Sequence, residues 1–410
     1  MDIYKRLKVK KIINASTNET KLGGSMLSTE VLEAMNEAAK YHVDMDELNW
    51  RAGEIIAEIT GAEAGFVTSG SAASLVVATA ACMTGSNRNK MRQLPNTEGL
   101  KNEVIIQKGH VYEATPFYRY PLLAGAKFVV VGNEHQTLPR EIEEAITERT
   151  AAILYMVVRE DTKGMQLTIK AYSREDNQVP LEDVCTIAHK YGVPVIVDAA
   201  GEIPPVENMK KFIALKADLV AFSGGKGVQG PMNTGILCGR KDLIEAVAAQ
   251  YCPHHGIGRP MKVSKECIVG IITALQQYVK TGAATEYSAW ESKAKYIVEE
   301  LKCLPHVEAN LITGDVGSAS NVVPMAHLEL DEETLGKTVS EVVKLLGEGD
   351  RPIVVACHGP TRPYIKPNAI LLNPRYLREG EEKIVVKKLK EICIQTHAYN
   401  ASPLDQNPST

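Results

Sequence analysis

The feature that most constrains this chain is a series of short, apolar, β-branched runs with helical stretches between them. The runs are EVIIQ at 103–107, AKFVVVG at 126–132, AAILYMVV at 151–158, VPVIVDAA at 193–200, ADLVAFSG at 217–224 and TGILCG at 234–239. A strand that is apolar along its whole length is covered on both faces. Most of the intervening stretches carry helical patterning. In PLEDVCTIAHKYG, 180–192, Pro180 suits the first helical turn, Glu182 and Asp183 sit near the positive end, and Gly192 suits the stop. Strands of this kind separated by helices predict an α/β fold with a mainly parallel sheet.

The pattern changes after about residue 280. A long helix near 286–303, short strands, and helices near 331–346 and 380–395 predict a small α+β C-terminal domain. The first 45 residues read as an arm plus a helix from Ser28 to Tyr41, with Ser28 as its cap. The expected division is an arm and helix at 1–45, a large domain at 46–282 and a small domain at 283–410. The longest polar, loop-like stretch is 86–102, and the tail AYNASPLDQNPST reads as frayed.

Composition narrows the function classes. With 410 residues, 44% of them hydrophobic, the chain has enough for two or three buried cores. The formal net charge of -4 lacks the basic excess of a nucleic-acid surface, so no nucleic-acid partner is expected. The basic start MDIYKRLKVKKIINAS is not followed by the apolar stretch of a secretory signal. No run reaches the roughly 20 apolar residues that span a bilayer. The eight cysteines form no C-x-x-C pair, which predicts reduced thiols, a cytoplasmic location and no structural metal site.

Three segments carry chemistry. Asp198 ends the strand VPVIVD, and in open α/β sheets ligands bind beyond the carboxyl ends of the strands. On its own it reads equally as a turn aspartate or as a partner for a protonated pyridine nitrogen. Lys226 lies in the turn FSGGKG, 222–227, which follows another apolar strand. Glycines on both sides let the backbone approach a flat ligand, and a partly desolvated lysine is suited to Schiff-base chemistry. Ser223 reads as a phosphate donor or as a simple turn serine. The third segment, FVTSGSAASLVVATAACMTG at 66–85, leads through Ser69, Gly70 and Ser71 into a helix of small residues. A helix start of this kind attracts anions and forms a phosphate cup.

The order phosphate cup, strand-end Asp, then Lys resembles the aspartate-aminotransferase superfamily, the fold type I enzymes that use pyridoxal 5′-phosphate (PLP). That resemblance implies that Gly70 and Ser71 hold the phosphate and Asp198 pairs with the pyridine nitrogen. Ala200 would pack on one ring face, while Lys226 would carry the cofactor as a Schiff base and shuttle a proton. His110, in QKGH, occupies the stretch that stacks on the other face. The match is nearest to the selenocysteine-synthase-like branch. It rests on IINASTNETKLGGS, MDELNWRAGEIIAEITGAEAGFVTSGSAA, AGAKFVVVG, SGGKGVQGPMNTGIL and NAILLNPRYL. This branch includes bacterial selenocysteine synthase and ammonia-lyases acting on glucosaminate or its 6-phosphate.

Several departures point away from the tRNA enzyme. This chain starts almost directly at IINAS, where selenocysteine synthase carries a further tRNA-binding domain. The position before Lys226 is Gly225, where that enzyme resembles Ser-Gly-Asp-Lys. Gly24 stands where its arm has an arginine. Arg259 and Lys262, in HHGIGRPMKVSK, match the region where the family places two active-site arginines. They are candidates for a substrate phosphate or carboxylate, or else belong to a solvated loop before a helix at 264–280. Arg375, in NPRYL, is the candidate for the α-carboxylate.

The resemblance favours α,β-elimination of a 2-amino-3-hydroxy acid, such as an amino-sugar acid, to a 2-keto acid and ammonia. Racemisation, replacement or aldol cleavage would use the same Lys and Asp, and tRNA-dependent selenium transfer is the alternative. Such sites normally sit between subunits, so a homodimer or higher homo-oligomer is expected.

Overall fold

The computed structural model describes residues 2–111, 113, 116–157, 178–313, 323–359, 362 and 365–394. The C-terminal tail read as frayed lies outside them.

The six apolar runs all form strands, and two further strands precede them. In chain order, β1 is Ile13–Ala15, β2 Ala64–Thr68, β3 Glu103–Gln107, β4 Lys127–Val131, β5 Thr150–Met156, β6 Val195–Asp198, β7 Leu219–Ser223 and β8 Gly235–Gly239. The seven strands β2 to β8 make one sheet in the order β2-β8-β7-β6-β5-β3-β4. Only β8 runs against its neighbours, so the expected mainly parallel sheet forms. Val195, Ile196 and Val197 of β6 and Leu219 to Phe222 of β7 are fully buried. Each of these valine, leucine, isoleucine and phenylalanine side chains contributes about 1.5–3 kcal/mol of hydrophobic stabilisation.

Helix Leu181–Lys190 lies within the 180–192 pattern, and Gly192 takes φ +66° just beyond it. Helix Thr29–Ala38 starts where Ser28 was expected to cap it: the Ser28 hydroxyl accepts the Val31 N–H. The stretch 86–102 is less loop-like than its polarity suggests. Asn87 caps a short helix, Arg88–Gln93, by accepting the Asn89 and Lys90 N–H groups.

The second sheet holds β9 (Val307–Thr313), β10 (Pro324–Leu330), β11 (Ile353–Cys357) and β12 (Ala369–Leu372), in the order β1-β11-β12-β10-β9. The arm therefore does more than lead into the large domain. Its three-residue strand β1 pairs in parallel with β11, Ile13 opposite Ile353 and Ala15 opposite Val355. The helices expected at 264–280 and 286–303 are one helix, Lys265–Leu301, which spans the 282/283 division. A lone glycine such as Gly282 costs a helix only about 1 kcal/mol relative to alanine, too little to stop one held by tertiary packing. The apolar cores stay separate. One runs from Val31 to Tyr278, and another joins Ile13 and Ala15 to residues between Ile297 and Cys393.

Candidate active site

β6 and β7 lie side by side, with Asp198 opposite Ala221. Their carboxyl ends therefore deliver Asp198 and the loop after Ser223 to the same edge of the sheet. Asp198 Oδ1 accepts the Ala200 N–H at 3.0 Å, which folds the chain back over the strand end. Burial pushes the Asp198 carboxyl above the usual carboxylate range. The Ala200 N–H and the Lys226 charge pull the other way without cancelling the shift.

Lys226 is half-buried in a loop closed by its own backbone. The Gly224 N–H donates to Thr234 O (2.9 Å), the Gly230 N–H to Gly224 O (2.8 Å) and the Gln229 N–H to Lys226 O (2.9 Å). The loop is packed backbone to backbone. A Cβ at Gly225 would stand 2.5 Å from Met232 Cα, so an aspartate there has no room unless residue 232 moves. The arm lies against the same loop. Gly24 takes φ +74°, and a Cβ on it would meet Met232 Cγ at 2.8 Å. Gly24 and Gly225 thus both lie where a side chain would collide with Met232. Ser25, the next residue, donates its hydroxyl to Gly225 O (2.8 Å) and Lys226 O (3.0 Å).

The expected phosphate cup follows β2. Gly70 takes φ +102° and opens helix Ser71–Thr84, which has no side-chain cap and no acidic residue in its first turn. An uncapped N-terminus of a 14-residue helix offers free N–H groups and a positive dipole end to an anion. The turn is braced from both sides. Thr68 Oγ1 and Ser74 Oγ share a hydrogen bond of 2.7 Å, and the Ser69 N–H donates to the Tyr251 phenol oxygen at 2.7 Å. Tyr251 is buried, edge-on to Phe66 at 5.2 Å between ring centres, and burial pushes its phenol up to about 12. It therefore keeps its proton at neutral pH. Sequence reasoning missed both Tyr251 and Ser25, because their partners lie 182 to 201 positions away.

His110 follows β3 and is buried. Its Nδ1 accepts the Met156 N–H at 3.4 Å, and its ring stands edge-on to Tyr155 at 4.7 Å. Met156 is the register partner of Asp198, so the imidazole sits at the same end of the sheet as the carboxylate. Ser223 ends β7, half-buried, and Ala200 lies in the turn after Asp198. From the small domain, Arg375 Nη2 donates to Gly227 O at 3.3 Å. Its guanidinium lies 5.2 Å from the Trp290 ring and 5.6 Å from the Tyr376 ring.

Arg259 is half-buried beside Cys252, with Nη1 3.9 Å from Sγ, and no carboxylate pairs with it among the described residues. Lys262 is exposed. The structure thus gathers Asp198, Ala200, Ser223, Lys226, His110 and Arg375 around one sheet edge. Ser69 meets Arg259's loop through Tyr251, which bridges to Gly258, and Lys262 is exposed. A cavity of about 660 Å³ opens elsewhere, lined by Asn49, Trp50, Phe66, Arg88, Arg92 and His254. None of the expected site residues lines it, so the site is defined by the strand ends and not by that void.

The residues fit PLP. The uncapped helix start offers amides to an anion, Asp198 offers a buried carboxyl to a cation, and Lys226 follows the neighbouring strand. The carboxylate is also one whose burial penalises its charge, so a cationic partner would relieve it.

Comparison with known proteins agrees with this geometry. The chain is 32% identical over 393 residues to a 5′-C-glycyluridine monooxygenase-decarboxylase from a Streptomyces species, covering 95% of this chain and 92% of that one. It is 31% identical over 394 residues to D-glucosaminate-6-phosphate ammonia lyase from Salmonella typhimurium, covering 96% and 98%. A solved structure of a D-glucosaminate-6-phosphate ammonia-lyase superposes with a TM-score of 0.82 at 29% identity, covering 97% of this chain and 99% of that one. The fold is that of the fold type I PLP enzymes, as expected. The profile of the L-seryl-tRNA selenium transferase family matches residues 12–290, and the chain belongs to that family.

Proposed function

We propose that this protein is a PLP-dependent ammonia-lyase. It removes the α-proton and the β-hydroxyl of a 2-amino-3-hydroxy acid, and the products are a 2-keto acid and ammonia. The favoured substrate is an amino-sugar acid such as D-glucosaminate 6-phosphate. The observation that carries the reading is the convergence of Asp198, Lys226 and the uncapped helix start at Gly70 on the same sheet.

Gly70 and Ser71 offer their amides to the cofactor phosphate, and Ser223 its hydroxyl. Ser69 and Tyr251 brace that turn. His110 and Ala200 would help to hold the ring. When bound, the cofactor supplies an electron sink that makes a proton next to the substrate amine removable. Asp198, when ionised, would hold a proton on the ring nitrogen. Lys226 Nζ would take the α-proton as a general base and return it in the later tautomerisation. Loss of water and its later re-addition balance, so the net change is release of ammonia. Arg375 reaches the lysine loop and would bind the α-carboxylate. Arg259, which lacks a carboxylate partner among the described residues, and the exposed Lys262 supply positive charge for a substrate phosphate.

The reading includes no nucleic-acid partner, supported by the net charge of -4 and by the lack of room at Gly24 and Gly225. It includes a homodimer or a multiple of one. The side chains of Tyr41, Val43 and Trp50 are exposed near the start of helix Met45–Thr60 and offer an apolar face to a second copy. Light scattering should return at least twice the 44.7 kDa protomer mass. A cytoplasmic location fits eight cysteines that are all free thiols. No helix among the described residues is long and apolar enough to cross a membrane.

The test is product analysis. Purified protein with PLP is offered D-glucosaminate 6-phosphate and a set of D- and L-hydroxyamino acids, and ammonia and 2-keto acid are measured together. Equal yields of both, absent from Lys226→Ala, support the lyase. The 32% identity to a relative named monooxygenase-decarboxylase favours a second reading, decarboxylation of an amino acid. Carbon dioxide without a 2-keto acid would select it.

A further inference from the structure

We infer that Ser25 is a positioning residue for Lys226, an arm-borne post that fixes the backbone from which the lysine side chain extends. This rests on the reading of Lys226 as the cofactor lysine. The lysine loop closes on itself through backbone hydrogen bonds, but Gly224, Gly225, Gly227 and Gly230 give it no side chains to wedge in place. The rest of its anchoring comes from side chains that bond its carbonyls from outside. Ser25 Oγ donates to Gly225 O at 2.8 Å and to Lys226 O at 3.0 Å, and Arg375 Nη2 donates to Gly227 O at 3.3 Å. Three consecutive carbonyls are thus held by side chains from the arm and the small domain.

A post is useful only if it is itself fixed, and Ser25 is fixed on both sides. Gly24 lies under Met232, with no space for a Cβ. Three residues on, Ser28 caps helix Thr29–Ala38 and donates to Gln277 Oε1 at 3.0 Å on the long helix. Upstream, Glu19 accepts from Arg362 Nη2 at 2.7 Å and from the Ser16 hydroxyl at 2.8 Å, and β1 is paired into the small-domain sheet. The arm therefore ties the small domain to the lysine loop, and Ser25 is where the tie reaches the peptide of Lys226. Proton transfer by Lys226 Nζ depends steeply on distance, so loosening this peptide should slow chemistry without changing what binds.

The test compares Ser25→Ala with Ser25→Thr, which keeps the hydroxyl. In protein stripped of PLP, backbone hydrogen exchange of the peptide spanning 224–230 should quicken in the alanine variant and stay near wild type in the threonine variant. In the loaded enzyme, kcat of the alanine variant should fall roughly 10–100-fold, the scale on which small misplacements act. KM and melting temperature should hold, the isotope effect with α-deuterated substrate should grow, and threonine should restore kcat. An alanine variant with wild-type exchange and wild-type kcat would overturn the inference. So would exchange that quickens across the whole chain together with a lower melting temperature, which would make Ser25 merely structural. Quickened exchange at 224–230 in a protein that never takes up PLP would overturn the functional reading, and the positioning role with it.

Discussion

Replacing Asp198 with asparagine should move stability and cofactor affinity in opposite directions. Asparagine keeps an acceptor for the Ala200 N–H, now 3.0 Å from Oδ1, and removes the charge that burial penalises. Because the folded pKa of Asp198 is raised, its proton stabilises the cofactor-free fold. That contribution is fully present below the unfolded value of about 3.9 and is lost as pH rises through the folded value. Holding the charge on this buried carboxyl at neutral pH is therefore a cost to the apoprotein. The Asn variant escapes that cost, and its melting temperature without PLP should exceed that of wild type. The gap should close toward acid. With PLP the order should reverse, because a hydrogen bond to a charged partner contributes about 1.5–3 kcal/mol, or roughly 10–100-fold in Kd. Thermal unfolding between mildly acid and neutral pH, paired with a PLP titration, reads both. An Asn variant that is less stable as apoprotein at neutral pH, or that binds PLP as tightly as wild type, would refute the reasoning.

Other changes test the surrounding frame. Gly225→Asp forces a Cβ to within 2.5 Å of Met232 Cα, and should cost about 1–3 kcal/mol in urea unfolding while weakening PLP uptake; unchanged values would contradict the close packing. Tyr251→Phe removes the acceptor of the Ser69 N–H, and should cost about 1–3 kcal/mol and loosen phosphate binding, measured as free phosphate competing with PLP. Burial pushes Glu19 up, but Arg362, Ser16 and Lys21 outweigh it and hold the carboxyl below the ordinary range. Its pairing therefore stabilises above about pH 4.3 and is lost as pH falls through the lowered folded value. Glu19→Gln should cost about 1–3 kcal/mol at neutral pH, between the values of exposed and fully buried pairs, and should flatten the acid limb of the stability curve.

Local patterning accounts for much of what could be read before the structure. β6 and β7 are continuous apolar runs whose burial forces them into a sheet centre, so Asp198 and the Lys226 loop had to emerge at strand ends. Ser28 caps its helix through a bond three residues away, which sequence shows directly. The features that escaped depend on distant partners. β1 is three residues long and becomes a strand only by pairing with residues near 353. The single helix Lys265–Leu301 passes through a glycine that local propensity reads as a break. Tyr251 and Ser25 act on segments 182 and 200 positions away, and nothing in their neighbouring residues marks them. Arg375 was found by resemblance, but its engagement with Gly227 O and Trp290 was visible only in three dimensions.

The central claim is that Lys226 carries PLP. The direct measurement is borohydride reduction of the PLP-treated protein, with peptide mass mapping of wild type and Lys226→Ala, preceded by a visible absorbance spectrum. The account predicts a visible Schiff-base band that borohydride bleaches, with one pyridoxyl group fixed on the peptide containing Lys226, and neither band nor label in the alanine variant. A protein that shows no band after PLP is added, or a label that persists in Lys226→Ala, would contradict it.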